Sequence, residues 1–323
     1  MESASKSKNA ACGTPPKGLQ QQILEMAPIV FEFIALIGYL FYYTLEAVYR
    51  KLFPIAPAPI REEIILVTGA GHGIGRELAL VYASEGATVI LWDIDEKNNE
   101  ETANMIIKNG GREPFHYNCD VSDRKSVLAT AKKIKEEVGE VTILINNAGI
   151  MPAHPLEKHT GEEIERIMNI NVMAHFWTLE AFLPDMQKNN HGHIVALSSI
   201  AGVTGLKNLV PYCTSKFAVR GLMESLGDEL MENPFNNVKT TTVCPFMVNT
   251  GLCKKPYVRF ENALNLLDPK LVAREIMLAQ RTGIVEFTIP RFLMTVNYVT
   301  RLFPQKAALK VKMFFESGIH SDL

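Results

Sequence analysis

The hydrophobic pattern changes rhythm twice along the chain. From Met26 to Leu45 the run MAPIVFEFIALIGYLFYYTL is apolar except for Glu32 and Thr44. That length is close to the roughly 20 residues a helix needs to cross a hydrocarbon core. Tyr39, Tyr42, Tyr43 and Tyr49 suit an interfacial position, and Arg50 and Lys51 follow within reach of headgroups. The stretch LFPIAPAPI at 52–60 carries Pro54, Pro57 and Pro59 and replaces the helical pattern with a stiff connection. From residue 63 onward, short β-rich runs alternate with helical periods. The predicted strands are 63–68, 88–93, 114–119, 141–146, 193–198, 238–243 and 285–289. The helical periods fall at 73–85, 95–109, 123–138, 162–188, 212–232 and 268–281. Continuously apolar strands separated by helices predict an α/β unit with a doubly wound parallel sheet covered on both faces.

The same pattern divides the chain. Residues 1–22 form a polar, Ser-, Lys- and Gln-rich lead expected to be disordered. Residues 23–53 read as a hydrophobic membrane anchor, 54–62 as a Pro-rich linker, and 63–290 as the α/β unit. Glu32 opposes simple spanning, so a crossing helix and a monotopic anchor dipping into one leaflet both fit the anchor. Residues 291–323 make an amphipathic tail in which Phe292, Tyr298, Leu302, Phe303 and Phe314 alternate with Arg and Lys. Three roles are open to this tail: lying on a membrane surface, covering the sheet edge, or forming a dimer contact.

Composition narrows the partners. The chain is 47% hydrophobic with a net charge of −2, which gives no reason to expect nucleic acid. Its five cysteines (Cys12, Cys119, Cys213, Cys244 and Cys253) contain no C-x-x-C pair and suit a reducing compartment. His154, His159 and His175 lack metal-ligand spacing and are expected as surface or core histidines, so no metal site is expected.

Candidate chemistry begins after the first strand. Gly69, Gly71, Gly73 and Gly75, with His72 and Ile74 between them, open a predicted helix. Glycines there let the backbone approach a pyrophosphate at the helix N-terminus. The second strand ends at Asp93, whose carboxylate can accept hydrogen bonds from an adenosine ribose and repels a 2′-phosphate. NAD(H) is therefore favoured over NADP(H). Tyr212 and Lys216 share a helix face, and an ammonium beside a phenol should lower the phenol's pKa. Ser199, at a strand end, is placed to hydrogen-bond a reacting oxygen.

The glycine loop, the Asn146-Asn147-Ala148-Gly149 turn, Asn171, Ser199 and Tyr212/Lys216 occur in this order, each in a suitable segment. Over residues 63–290 this resembles the short-chain dehydrogenase/reductase family. The resemblance implies a Rossmann-type doubly wound parallel sheet of about seven strands behind the N-terminal membrane-anchoring helix. It also implies a catalytic tetrad of Asn171, Ser199, Tyr212 and Lys216. Asp120 and Val121 would flank the adenine, Asn147, Ala148 and Gly149 would support the cofactor, and Thr250 would contact the nicotinamide amide. The stretches at 91–94, 175–184, 191–195 and 244–251 resemble the membrane- and lipid-droplet-associated branch, which holds the epidermal retinol dehydrogenases and the 17β-hydroxysteroid dehydrogenases of types 11 and 13.

That branch implies an oxidoreductase acting on a lipophilic alcohol or carbonyl of retinol or steroid type. It implies a membrane or lipid-droplet surface as partner, an endoplasmic-reticulum or droplet location with the catalytic unit cytosolic, and a homodimer. An NADPH-dependent lipid carbonyl reductase and a non-catalytic droplet scaffold are the alternatives. The family often carries Pro-Gly after the sixth strand, whereas Phe246 follows Pro245 here, so Phe246 is expected beside the substrate. Ile150, Met151, Val203, Leu206, Leu209, Met247, Leu252, Tyr257 and Phe260 complete the expected apolar surroundings.

Overall fold

The computed structural model describes residues 19–53, 55–260, 264–315 and 317–322. It contains two separate units, split near Ala56. In the first, helix α1 runs from Leu19 to Leu52 with Pro28 inside its N-terminal half. Its segment Glu25–Leu52 has a mean hydropathy of 1.7 and is long and apolar enough to cross a membrane. The predicted lead, 1–22, lies outside the described residues as far as 18, and from Leu19 the chain is already helical.

The second unit follows the predicted alternation closely. Strand β1 is Ile64–Thr68, α2 Gly73–Ser84, β2 Thr88–Asp93, α3 Glu96–Lys108, β3 Phe115–Asn118, α4 Arg124–Glu137 and β4 Ile143–Asn146. Then come α5 (Gly161–Met168), α6 (Ala174–Lys188), β5 (Gly192–Leu197), α7 (Val210–Met231), β6 (Val238–Pro245), β7 (Pro256–Val258), α8 (Pro269–Arg281) and β8 (Glu286–Ile289). The main sheet has the order β3-β2-β1-β4-β5-β6-β8, and all its pairings are parallel. This is the Rossmann-type sheet of seven strands.

The strands read as unbroken apolar runs because both faces are covered. Ile65 and Val67 of β1 pack on one side with Leu78 and Tyr82 of α2 and Ile276 of α8. Leu66 points to the other side, among Val127 and Ile134 of α4, Phe182 of α6 and Val219 of α7. Each such side chain contributes about 1.5–3 kcal/mol on burial, so these rows carry most of the fold's stability. A buried polar chain crosses the first layer. Tyr82 donates to Gln280, Gln280 donates to His193 Nδ1, and His193 donates from Nε2 to Thr241, whose hydroxyl donates to the Ile284 carbonyl. Burial pushes His193 down to about 3, which keeps the imidazole neutral and this chain intact at neutral pH.

Two departures matter for function. The helical period predicted over 162–188 is interrupted by a π-helical turn at Asn169–Met173, between α5 and α6. The tail forms α9 (Phe292–Arg301) and α10 (Gln305–Phe315), then strand β9 (Ser317–Ile319), which pairs antiparallel with β7.

Candidate active site

The strand order reverses between β1 and β4, and in open α/β sheets that switch point leaves a crevice at the carboxyl ends of the strands. A cleft of about 310 Å³ lies there. At one end it is lined by Asp93, Ile94, Cys119, Asp120 and Val121, in the middle by Gly69, His72, Gly73, Ile74, Asn147, Ala148 and Gly149, and at the other by Tyr212, Lys216 and Thr250. Gly71, which the loop pattern also singles out, packs directly behind Asp93.

The glycine loop is built by backbone needs. Gly69 and Gly73 have φ of 67° and 58°, and a Cβ on Gly75 would lie 2.0 Å from the Gly69 carbonyl oxygen. Asn147 clamps the loop, donating from Nδ2 to the carbonyls of Thr68 (2.9 Å) and Gly69 (3.2 Å). The N-terminus of α2 has neither a side-chain cap nor an acidic residue in its first turn. Free helix N–H groups beside close-packed glycines fit a diphosphate, whose charge the helix dipole favours. Both Asp93 oxygens accept from backbone: Oδ2 from Gly71 N of the loop at 2.8 Å and Oδ1 from Asp95 N, at the start of α3, at 2.9 Å. The neighbouring cation, Arg76, is engaged by the carbonyls of Gly71 and Asn98, the Thr102 hydroxyl and Glu101.

At the other end, the π-helical turn fixes Asn171 in full burial. Its Oδ1 accepts from Ile150 N (2.9 Å), and its Nδ2 donates to Ile150 O and Ser215 Oγ (both 3.0 Å). Gly149 leaves room for Asn171 and Lys216: a Cβ there would meet Asn171 Oδ1 at 3.2 Å and Lys216 Nζ at 3.6 Å. Lys216, one turn after Tyr212 on α7, donates to the Leu197 carbonyl at 2.7 Å, and its Nζ lies 5.8 Å from the Tyr212 ring centre. Ser199 caps a short 3₁₀ turn by accepting from Ala201 N.

Burial dominates the titration of this pair. Desolvation pushes Tyr212 up to about 12, against a lowering by the Ser199 hydrogen bond, and pulls Lys216 down to about 8. The sequence predicts a lowering of the Tyr212 pKa by Lys216, but Lys216 is not among the groups that shift it, and burial raises it instead. His175, also deep in this region, is pulled down to about 3 by burial and by the Lys216 charge.

Tyr212 and Ser199 also face a second, apolar cavity of about 90 Å³. Met151, Leu206, Leu209, Phe246, Met247 and Leu252 line it, as the sequence predicts. Four expected residues do not, and one of them, Ile150, lines the nucleotide cleft instead. Val203 is fully buried in the fold, Tyr257 stacks on His320, and Phe260 packs against Phe314 and Phe315. Ile200, Cys253 and Ile319 line the cavity without having been predicted. Ile319 arrives on β9, fastened by Asn208 Nδ2 donating to its carbonyl and by Asp322 bonding the backbone of Ala153 in both directions.

A nucleotide-binding sheet, an uncapped glycine-rich helix start, and a Ser, Tyr and Lys set beside an apolar cavity together define a dehydrogenase of the short-chain class. Residues 63–257 match the short chain dehydrogenase family model, and the chain belongs to that family. It is 41% identical over 256 residues to short-chain dehydrogenase/reductase family 16C member 6 of Bos taurus, covering 79% of this chain and 81% of the relative. Identity is 38% both to epidermal retinol dehydrogenase 2 of Homo sapiens, over 83% of this chain and 86% of the relative, and to estradiol 17-beta-dehydrogenase 11 of Rattus norvegicus, over 86% and 92%. Among solved structures, a Burkholderia phymatum short-chain dehydrogenase/reductase in complex with NAD superposes with a TM-score of 0.69 at 24% identity, over 82% of this chain and 99% of its own. A metagenomic short-chain oxidoreductase in complex with NADP gives 0.61 at 27% identity, over 72% and 97%.

Proposed function

We propose that this protein exchanges a hydride between NAD(H) and a lipophilic secondary or allylic alcohol, or its carbonyl, of retinol or 17β-hydroxysteroid type. The observation that carries the proposal is the position of Tyr212, which lines both the nucleotide cleft and the apolar cavity. When bound, the nicotinamide supplies or accepts the hydride. Tyr212 Oη exchanges the proton with the substrate oxygen, and the Ser199 hydroxyl orients that oxygen and stabilises its developing charge. Burial keeps Tyr212 protonated, the form that donates to a carbonyl. For oxidation, the positive charge of Lys216 has to offset that desolvation, and Lys216 also holds the nicotinamide ribose. Asn171 joins Ile150 to Ser215 beneath Lys216, and supports a water-borne proton path from there to solvent.

NAD preference rests on Asp93 at the adenosine end, with Arg76 already engaged. Asp120 and Val121 hold the adenine, Asn147, Ala148 and Gly149 back the cofactor, and Thr250 meets its amide. Relatives named for retinol and estradiol support the substrate class. Helix α1 and the apolar side chains of α9 and α10 support residence at the endoplasmic-reticulum membrane or a lipid droplet, with the catalytic unit cytosolic. Exposed Phe176 on α6 and Phe217 on α7 support a homodimer through those helices.

The test is turnover by detergent-solubilised full-length protein on retinol, estradiol, androgens and long-chain alcohols, with NAD and NADP supplied separately. NAD-dependent turnover is expected, falling by about 10²–10⁴-fold in Tyr212→Phe while cofactor affinity stays within a few-fold. Undiminished turnover in Tyr212→Phe refutes the assigned chemistry.

A further inference from the structure

Away from the cleft, one group of metal-ligating side chains is left unused by the proposed reaction. It lies on the segment that leaves the apolar cavity at Met151, passes a 3₁₀ turn at Leu156–Lys158 and enters α5. His154 Nε2 is 2.7 Å from Glu163 Oε2, and His159 Nδ1 hydrogen-bonds the same oxygen. The two ring centres lie 3.9 Å apart with their planes tilted by 36°. All three ligating atoms lie within 4.8 Å of one another.

Local structure holds the three in place. Thr160 caps α5 by accepting from Glu163 N, which sets Glu163 in the first helical turn. The His159 side chain is fully buried and His154 nearly so, while Glu163 keeps 28% of its side chain exposed. A direct contact with solvent thus remains on one side. Among the described residues no Lys or Arg pairs with the Glu163 carboxylate, and its side-chain partners are the two imidazoles.

We infer that His154, His159 and Glu163 form a binding site for a first-row divalent transition-metal ion, with Zn²⁺ the best match. Two imidazoles and one carboxylate are a donor set that zinc accepts, whereas Mg²⁺ and Ca²⁺ prefer all-oxygen sites. One carboxylate oxygen now serves two imidazoles at once, and an ion at their focus replaces this shared contact with three separate bonds. Zn–N and Zn–O bonds of about 2.0–2.1 Å place tetrahedral donors about 3.3 Å apart. The shift needed from 2.7 Å is a small side-chain adjustment. The inner nitrogens then present lone pairs, and the outer ones, His154 Nδ1 and His159 Nε2, carry the protons. Three protein ligands leave a position for water. The bound ion clips the cavity-lining segment to α5, close to where Asp322 fastens the C-terminal strand.

The experiment uses full-length protein without a polyhistidine tag, stripped with chelator and titrated with Zn²⁺ against a chromophoric chelator. One equivalent should bind and raise the unfolding temperature. Affinity should fall more than about tenfold in His159→Asn and in Glu163→Gln. X-ray absorption on the zinc-loaded wild type gives an answer even if a variant misfolds. Two imidazoles with oxygen in the first shell support the site, and a sulfur shell, which would put the ion on cysteines, overturns it. Absence of stoichiometric binding, or binding unchanged in a folded His154→Asn/His159→Asn double variant, overturns it equally.

Discussion

Lys216 is expected to cost the protein stability that its chemistry requires. Its side chain is almost fully buried, with a single hydrogen bond to the Leu197 carbonyl, and burial pulls its pKa from 10.5 to about 8. A displacement of that size corresponds to about 3 kcal/mol, since each unit is about 1.4 kcal/mol. The sign follows from proton counting. Between pH 8 and 10.5 the unfolded chain holds a proton on this amine that the folded protein has released, so stability from this residue rises with pH across that window. Below pH 8 the full penalty is present. Lys216→Met keeps the length and removes the charge. The assay is urea unfolding of both full-length proteins, followed by near-ultraviolet circular dichroism from pH 7 to 10. Burial raises Cys244 to about 12 and Cys253 to about 11, which opposes stability at alkaline pH. The Cys253 contribution is common to both proteins and cancels in the difference, and Cys244, whose charge acts on Lys216, ionises above the window. The wild type should gain about 2.5 kcal/mol on Lys216→Met between pH 7 and 10, while the variant is inactive throughout. A flat difference refutes the reasoning.

Three further outcomes are expected. Asp93→Ala removes the carboxylate at the adenosine end and the acceptors of Gly71 and Asp95, so the NAD-to-NADP ratio of kcat/KM should fall at least about tenfold; an unchanged ratio removes the basis for NAD preference. Gly75→Ala puts a Cβ against the Gly69 carbonyl from a rigid backbone, and equilibrium dialysis should show cofactor affinity lost before the fold is. Ile319→Ala widens the apolar cavity from its far wall. Steady-state kinetics should show KM rising for short alcohols more than for bulky ones, with kcat little changed, and equal effects on both would place Ile319 outside the substrate's path.

The sheet was legible because Ile65, Leu66 and Val67 must all be apolar when helices cover both faces. That the glycine loop, Asp93, Ser199 and the Tyr212/Lys216 pair come together round the cleft and its neighbouring cavity was legible because their positions depend on local spacing at strand ends and on one helix face, which the backbone preserves. Asn171 was found, but not the π-helical turn that buries it, since one wide turn leaves a helical period almost unchanged. The effect of Lys216 on Tyr212 was misjudged because charge proximity shows in sequence and desolvation does not. His154 and His159 were read as surface or core histidines, and their meeting with Glu163 had no sequence signal because a 3₁₀ turn, not a regular helix, brings the three together. Ile319 had no local signal at all.

The strap that carries Ile319 has a consequence for the order in which the protein becomes functional. Asn208 and its partner at Ile319 stand 111 residues apart, and Tyr212 lies only just beyond Asn208. During synthesis the glycine loop, the cofactor cleft and the Tyr212/Lys216 pair are all made well before the last wall of the cavity. A chain interrupted after β8 would have every element that lines the cofactor cleft, and would present Tyr212 to an open face. Nucleotide capture and substrate discrimination are thus separated in time by the tail, and cleavage anywhere between Arg291 and Ser317 would leave the first while abolishing the second.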